Sequence, residues 1–526
     1  MAQPGKLKIP LPRGATGVIL MTLLFLAVAR PARAEIRYSV SLADRAGHLF
    51  DVGMTVPNVR GHLRVAMPAW NGLYQIRDFA ERVEDVRASQ DRRSLAVRPI
   101  DGQRWEIAGA GTIHIQYRVF WNQPGPFSSQ LNSHHAFVNF AEILFYVPGR
   151  RREGAQVRFL GVPANWKIAV ELPPGPCAAC FEAAGYDALA DAPAEAGTFT
   201  EFRLVENRAH LRVAVDATGG ASWNRKQLEG WLEKIVGYET GMMREAPFRE
   251  YLFIYHIGPG AGGGGMEHAN STAIAVEDAS EIPAVTAHEF FHLWNVKRIR
   301  PESLNPVDYA RPQWTRSLWF VEGVTSTYAA YTMLRTGLWT RERYYQHLGN
   351  LISQLQSRPA RLWQSVEESS LDAWFEKYPF YNQPQRSISY YDKGELDGVL
   401  LDILVRDATG NRRSLDDVMR YMNRTYALRN RFYHGNAAIE AAVEKIAGRS
   451  FAGFFENYVS GTAAIPWNRI LGRAGLRVSI SRGEQQLTLP LTLGHGGATL
   501  YNVSPVENPS ERQRRILDGL LHGRTD

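Results

Sequence analysis

A helix that carries two histidines one turn apart constrains this chain most. His288-Glu289-x-x-His292 follows Pro283, a residue type favoured in the first turn of a helix. The spacing of four places both imidazoles on one helical face, where they can share a single ion. Glu289 follows His288 directly and so lies one position further round the helix. It is too close to the ion to be a third ligand but well placed to take a proton from a metal-bound water. Imidazole and carboxylate ligands with one position left open suit zinc.

A third ligand is predicted thirty residues downstream, in Leu318-Trp-Phe-Val-Glu322-Gly323. This apolar helical run is interrupted by one carboxylate, which is costly unless it is paired, protonated or bound to a metal. A Glu at the exposed edge of an amphipathic helix is the alternative interpretation. Beside the first motif, Glu322 is the better candidate for the third zinc ligand.

Several stretches together resemble the glycyl aminopeptidase family of gluzincin zinc metallopeptidases. The likeness is carried by the runs His288–Pro301 and Trp319–Thr325, by Met67-Pro-Ala-Trp70 with Tyr74–Phe79, and by Tyr186–Gly197. It implies a multidomain α+β protein, with an all-β amino-terminal domain before a thermolysin-like catalytic domain that has a mainly helical lobe. It also implies one zinc ion per chain, held by His288, His292 and Glu322, and peptide substrates with a free amino terminus.

The segment Gly264-Gly265-Met266-Glu267-His268 is similar to the Gly-x-Met-Glu-Asn motif of related gluzincin aminopeptidases. There the glycine backbone lines the substrate and the Glu binds the free α-amine, so the resemblance assigns substrate binding to Gly264, Gly265 and Glu267. His268 stands where those relatives have Asn. A phosphate cradle is the less favoured interpretation of the glycines, since the Gly-Lys-Ser/Thr ending is missing; a flexible loop without direct chemistry is a further alternative.

Tyr391-x-Lys393-Gly394 resembles the motif whose tyrosine donates to the oxyanion in related aminopeptidases. A phenol can stabilise the tetrahedral oxygen without bringing a charge that repels the metal. The preceding residue is also a tyrosine, so Tyr390 is the alternative donor, and a tyrosine that only packs is the other possibility.

The chain divides into five predicted regions. Residues 1–34 have the basic start, apolar run and small-x-small ending of a secretory signal peptide, with an uncleaved anchor as the alternative. An all-β domain is predicted for 35–220, a zinc-binding catalytic subdomain for 221–324 and a helical lobe for 325–470, with an amphipathic helix at Val399–Leu404. The remainder, 471–526, is too short for the PDZ domain that commonly follows in the family. Its basic end is predicted to form a short solvated helix.

Charge and cysteine content narrow the possible partners. The formal net charge of +7 falls by five to +2 without the leader, which has five basic residues and no acidic one. We therefore infer no nucleic-acid partner from the basic balance, and no membrane span in the mature chain.

Cys177 and Cys180 predict one local disulfide in an exported protein rather than a redox or zinc site.

The adjacent histidines His134 and His135 are not predicted to bind a metal. They lie in a strand-like region, where neighbouring side chains point to opposite faces and cannot easily share one ion. A surface or loop role is favoured for both.

The basic residues Lys297, Arg298 and Arg300 are interpreted as a solvated or ion-paired helix end rather than a binding site for a peptide carboxylate.

Taken together, these motifs predict an exported (periplasmic or secreted) zinc aminopeptidase, with Glu289 and Tyr391 as catalytic residues. The family likeness implies a preference for small amino-terminal residues such as Gly or Ala. Two alternatives stay open at this point: a zinc endopeptidase of the same fold, and a non-catalytic periplasmic peptide-binding protein. The complete set of His288, His292, Glu289 and Glu322 speaks against the latter, because a binding protein would not require it.

Overall fold

The structure is a computed structural model that describes residues 35–376, 383–483 and 498–526. The predicted signal peptide, 1–34, lies outside these residues. Within the described part, no helix is both long enough and apolar enough to cross a membrane.

The amino-terminal part is built almost wholly from strands, as its alternating pattern predicts. Strand β8, for example, buries every second side chain between Ile113 and Val119. The strands are β1 (Ile36–Asp44), β2 (Leu49–Val59), β3 (His62–Ala66), β4 (Val83–Gln90), β5 (Arg93–Leu95), β6 (Val97–Pro99), β7 (Arg104–Ala108), β8 (Gly111–Phe120), β9 (Gln130–Leu131), β10 (His135–Val138), β11 (Ala155–Leu160), β12 (Lys167–Val170), β13 (Cys180–Ala183) and β14 (Ala194–Gly197).

These strands form three sheets, with orders β13-β11-β1-β2-β8-β4-β5, β3-β7-β6 and β12-β14-β10-β9. Two short helices, α1 (Phe140–Ile143) and α2 (Tyr186–Ala190), interrupt them. A disulfide joins Cys177 to Cys180, as predicted.

The part of the chain that is predicted to be catalytic contains a five-stranded sheet, which we call the catalytic sheet. Its strands lie in the order β15-β16-β17-β19-β18. They are β15 (Thr200–Glu206), β16 (Ala209–Ala217), β17 (Tyr251–Ile257), β18 (Gly264–Glu267) and β19 (Ser271–Val276). Strands β16, β17 and β19 run parallel, and α3 (Arg225–Met243) forms the crossover between the first two. Because β15 and β16 pair into this sheet, sheet pairing starts the catalytic part near Thr200, ahead of the boundary that we expected at 220.

Helices make up most of the remaining chain. They are α4 (Ile282–Phe291), α5 (Thr325–Arg335), α6 (Arg341–Ser357), α7 (Val366–Glu376), α8 (Tyr390–Thr409), α9 (Leu415–Thr425), α10 (Gly435–Ala447), α11 (Ala452–Phe454), α12 (Trp467–Leu471) and α13 (Glu511–His522), with π-helical turns at Trp319–Val324 and Phe455–Val459. Strands β20 (Leu476–Gly483) and β21 (Ala498–Pro505) form a separate two-stranded sheet.

Two expectations for these helices are wrong. The sequence predicts an amphipathic helix at Val399–Leu404, but α8 is buried on nearly all sides because it runs through the centre of the helical lobe. The final helix, α13, is not simply solvated: Ile516, Leu520 and Leu521 are buried in the main core.

A close crossing of two glycines positions the helix that carries Glu322. A Cβ on Gly323 would meet the backbone of Gly394 in α8, and a Cβ on Gly394 would meet the backbone of Trp319 and Gly323. Only glycine permits this approach. The crossing fixes the π-helical turn Trp319–Val324 against α8, whose first turn contains Tyr391.

The amino-terminal and catalytic sheets share a small apolar layer. Phe137 and Ala169 of the four-stranded sheet, together with Phe199, pack on Ala214, Leu252, Ile254 and Ala273 of the catalytic sheet. The two parts are thereby joined along a face of the catalytic sheet.

Candidate active site

The three predicted metal ligands converge at the junction of α4 and the π-helical turn. The Nε2 atoms of His288 and His292 are 3.1 Å apart. One carboxylate oxygen of Glu322 lies 3.5 Å from the first and 3.2 Å from the second. The bulge of a π-helical turn directs Glu322 at the histidines, in keeping with the frequent use of such turns at functional sites.

Hydrogen bonds hold both imidazoles with Nε2 facing inward. His292 Nδ1 donates to the backbone carbonyl of Asn295 over 2.6 Å, and His288 Nδ1 lies 3.3 Å from Ser326 Oγ. The Asn295 amide in turn donates to the carbonyl of Phe320 and to Thr325 Oγ1. This amide therefore ties the end of α4 to the segment that presents Glu322.

The arrangement fits a divalent cation. With Nδ1 donating, neutral His292 presents a lone pair at Nε2 to the two other ligand atoms. Burial lowers the pKa of His292, but the Glu322 carboxylate outweighs burial and raises that pKa to about 10. The Glu322 carboxylate therefore favours a positive charge at this position, and a metal ion can supply it. Imidazole and carboxylate ligands suit zinc.

Glu289 lies beside this cluster and is almost fully buried. Its Oε2 accepts no hydrogen bond from the described residues. Burial raises the pKa of its carboxyl well above the usual value, and Glu267 and Glu322 act in the same direction. A Cβ on Gly265 would collide with the Glu289 side chain, so Gly265 both lines the site and leaves room for this carboxylate.

The Glu267 carboxylate points into the same space. One of its carboxylate oxygens lies within 4.8 Å of a carboxylate oxygen of Glu289 and of a ring nitrogen of His292. Glu267 ends β18, an edge strand that pairs antiparallel with β19, with Gly264 opposite Ala275. His268, which departs from the relatives' Asn, is buried and turns away to Asp191, 3.2 Å from its Nδ1.

Most of the predicted site residues line one cavity of about 80 Å³. It is lined by Gly265, Glu267, His288, Glu289, His292, Glu322 and Tyr391, and by Gly72, Leu73, Tyr74, Phe127 and Met266. Two larger surface depressions, of about 480 and 910 Å³, contain none of the predicted site residues. Tyr390 does not line the site cavity: it is 1% exposed and stacks on Tyr391.

Sequence reasoning missed the wall that the amino-terminal part contributes. Phe127 is held there by Asn71 and Arg77, whose side chains donate to its carbonyl and also to the buried Glu142 carboxylate. Tyr74 stood in a motif that resembled the family's amino-terminal domain, but nothing in that motif placed it near the zinc helix. Phe127 had no comparable motif.

Two further predictions concern charged groups outside the cavity. Lys297 lies 2.8 Å from Asp191, as the ion-paired interpretation predicts, whereas Arg298 and Arg300 donate to backbone carbonyls. The prediction for His135 is wrong. His134 is exposed in the bend before β10, but His135, the first residue of β10, is buried against the carboxylate of Glu195.

Comparisons with known proteins agree with this geometry. The profile described as M61 glycyl aminopeptidase matches residues 282–396, and the Peptidase M61 N-terminal domain matches residues 37–198. Together the two matches cover more than half of the chain. Among proteins of curated function, no significant sequence match is found.

Solved structures extend the similarity over most of the fold. An aminopeptidase N family protein from Idiomarina loihiensis is 26% identical and has a TM-score of 0.81, with 86% of this chain and 80% of that chain covered. The M1 zinc metallopeptidase from Deinococcus radiodurans is 15% identical with a TM-score of 0.51, over 82% and 95% of the two chains. A mutant of the latter was solved with the peptide Tyr-Ser-Ala. The chain belongs to the M61 glycyl aminopeptidase family of zinc metallopeptidases.

Proposed function

We propose that this protein is an exported zinc aminopeptidase that removes small amino-terminal residues, Gly and Ala in preference to larger ones. The observation that carries this proposal is the small cavity, about 80 Å³, in which the Glu267 carboxylate lies next to the cluster of His288, His292 and Glu322. A carboxylate there can pair with an α-ammonium group and so select the end of a chain. The small volume disfavours a bulky first side chain.

The proposed roles follow from the atoms that face the cavity. His288, His292 and Glu322 would hold zinc, which polarises a peptide carbonyl and lowers the pKa of water when bound. Glu289 accepts a proton from the attacking water and donates it to the leaving nitrogen. The Tyr391 hydroxyl donates to the oxyanion of the tetrahedral carbon, while Glu267 binds the substrate amine.

Strand β18 supports substrate alignment. It is the edge strand of the catalytic sheet, Gly264 and Gly265 are both partly exposed, and Gly265 lines the cavity. An extended peptide can add to such an edge through main-chain hydrogen bonds. The glycines keep side chains out of the way, with Phe127 packed 3.3 Å from the Cβ position of Gly264.

The test is hydrolysis of Gly-, Ala- and Leu-p-nitroanilide by the purified protein and by its Glu289→Gln variant. We expect faster turnover of Gly and Ala than of Leu, and a loss of roughly 10²–10⁴-fold in kcat for the variant at unchanged zinc content. Amine-acetylated peptides serve as the control for end selection. Cleavage of these blocked peptides at undiminished rate would replace the aminopeptidase with an endopeptidase, and absence of both zinc and turnover would leave a peptide-binding protein.

A further inference from the structure

A second group of metal-ligand side chains lies outside the active site. It comprises His135, Glu195, Asp216 and His256, whose ligand-type atoms all lie within 4.8 Å of one another. His135 Nδ1 is 3.0 Å from Glu195 Oε1 and 3.3 Å from Asp216 Oδ2. His256 Nε2 is 2.9 Å from Glu195 Oε2. Asp216 is partly exposed as a residue, and the other three are buried.

The strand pairing brings these residues together from both sheets. His135 and Glu195 come from β10 and β14 of the four-stranded sheet, where Glu195 pairs with Phe137, two residues from His135. Asp216 and His256 are direct partners on the parallel strands β16 and β17. The cluster therefore spans the contact between the amino-terminal and catalytic parts, next to their shared apolar layer.

A relay of hydrogen bonds determines which nitrogen of His135 carries its proton. His48 Nδ1 donates to the Leu131 carbonyl, so Nε2 of neutral His48 accepts from Asn122 Nδ2. Asn122 Oδ1 then accepts from Gln130 Nε2, which leaves Gln130 Oε1 to accept from His135 Nε2. Neutral His135 thus has its hydrogen on Nε2 and a lone pair on Nδ1.

That lone pair faces two carboxylates. Nδ1 of His135 points at oxygens of Glu195 and Asp216, and Asp216 Oδ2 is itself a buried atom that accepts no hydrogen bond within the described residues. The lone pair of His135 and the carboxylates of Glu195 and Asp216 repel one another unless a cation lies between them. Two carboxylates and two neutral imidazoles have a net charge of −2, which one divalent ion neutralises.

Three contacts between ligand-type atoms of this cluster are slightly shorter than those of the active site. The neighbouring contacts in this cluster are 2.9–3.3 Å, against 3.1–3.5 Å among His288, His292 and Glu322. Tetrahedral ligands at about 2.0–2.2 Å from zinc lie roughly 3.3–3.6 Å from one another, so the side chains would move apart by a few tenths of an ångström when an ion binds. A ligating histidine usually donates its outer N–H to an oxygen acceptor, and the carbonyl oxygen of the Gln130 side chain can fill that place for His135.

We propose that His135, Glu195, Asp216 and His256 bind a second divalent transition-metal ion, zinc by preference. Mixed imidazole and carboxylate ligands select zinc over calcium or magnesium. Four protein ligands leave no open position, so the ion is structural and links the four-stranded sheet to the catalytic sheet. This inference is independent of the proposed function.

The alternative occupant of the space between these side chains is a proton. His135 would then be an imidazolium that donates from both nitrogens, and the cluster would be a metal-free ion pair. Metal content separates the two cases, because only the first retains an ion when the active-site ligands have been removed.

The experiment is elemental analysis of the full chain after dialysis against metal-free buffer. We expect about two zinc ions per wild-type chain, and about one in a variant with His288→Ala, His292→Ala and Glu322→Gln. Adding His256→Gln to that variant should remove the remaining ion, whereas adding the exposed neighbour His134→Gln should not. One ion in the wild type and none in the triple variant, with native circular dichroism and elution volume, would overturn the proposal.

A milder variant guards against misfolding. Gln130→Ala removes the acceptor behind His135 together with one hydrogen bond to Asn122, and we expect a loss of roughly 10–100-fold in affinity for the second ion, read by competition with a chelator in the triple-variant background. Removal of that ion should also lower the Tm of the triple variant. An unchanged Tm on chelation would contradict a structural metal.

Discussion

At the scale of single residues, the site depends on which of two adjacent tyrosines faces the cavity. Tyr391 lines it beside His288, with ring centroids 6.1 Å apart, whereas Tyr390 is buried behind. We expect Tyr391→Phe to lower kcat by about 10²–10³-fold with little change in KM, since the hydroxyl acts on the oxyanion alone. Tyr390→Phe is the control and should retain most activity. The reverse order in steady-state kinetics would assign the role to Tyr390.

Gly265 offers a second test at the same scale. Alanine at this position would push against the Glu289 side chain, while the nearby Gly263 has open space around its Cβ position. A displacement of about 1 Å of a catalytic group can cost roughly 10²-fold, so we expect Gly265→Ala to lower kcat/KM by that order. Gly263→Ala should leave kcat/KM within a few-fold. Equal losses in both variants would show that backbone freedom, and not space for Glu289, is what matters.

At the scale of elements, the contact between the π-helical turn Trp319–Val324 and α8 holds Glu322, the proposed third metal ligand, in place. Ala at Gly323 would overpack the crossing with Gly394 and cost about 1–3 kcal/mol of unfolding free energy. Because Glu322 is the neighbouring residue, we also expect weaker zinc retention against a chelator. Gly230→Ala in α3 is the matched control: its Cβ position is open, so helix propensity should make it neutral or slightly stabilising. Full zinc retention in Gly323→Ala would contradict this role.

The elements also show what the sequence could predict. Local patterns located α4, the ligands at positions four apart, Glu322 and the strand-rich amino-terminal part, because period and spacing are local properties. The same reasoning mistook α8 for an amphipathic helix, since burial on all sides depends on distant neighbours. It rejected His135 as a ligand by considering only His134 as its partner. Glu195, Asp216 and His256 are 60 or more residues away in the chain, and no spacing rule connects them.

At the scale of the whole molecule, Asp191 joins the amino-terminal part to the catalytic part through Lys297 and His268. Burial opposes its ionisation, but Lys297 and His268 outweigh burial and hold the pKa of Asp191 well below its usual range. A depressed carboxyl pKa stabilises the fold above the unfolded-state pKa of about 3.9, and that stability is lost as the pH falls below it.

We therefore expect Asp191→Asn to lower the free energy of unfolding by about 1–2 kcal/mol at pH 7, and by progressively less below about pH 4. Urea titrations at several pH values measure the difference from wild type. The exposed Asp51 in β2 is the control, and Asp51→Asn should show no such pH-dependent difference. A destabilisation by Asp191→Asn that stayed constant from pH 7 to pH 3 would exclude the ion pair as its cause.

The π-helical turn at Trp319–Val324 has one more residue per turn than an α-helix would need over the same length. Deleting one residue there would restore α-helical geometry and rotate Glu322, relative to everything downstream, by about 100°. The proposed zinc site thus depends on one extra residue in this turn. A change of one residue in the length of this turn would therefore gain or lose the third ligand, even without a substitution at Glu322 itself.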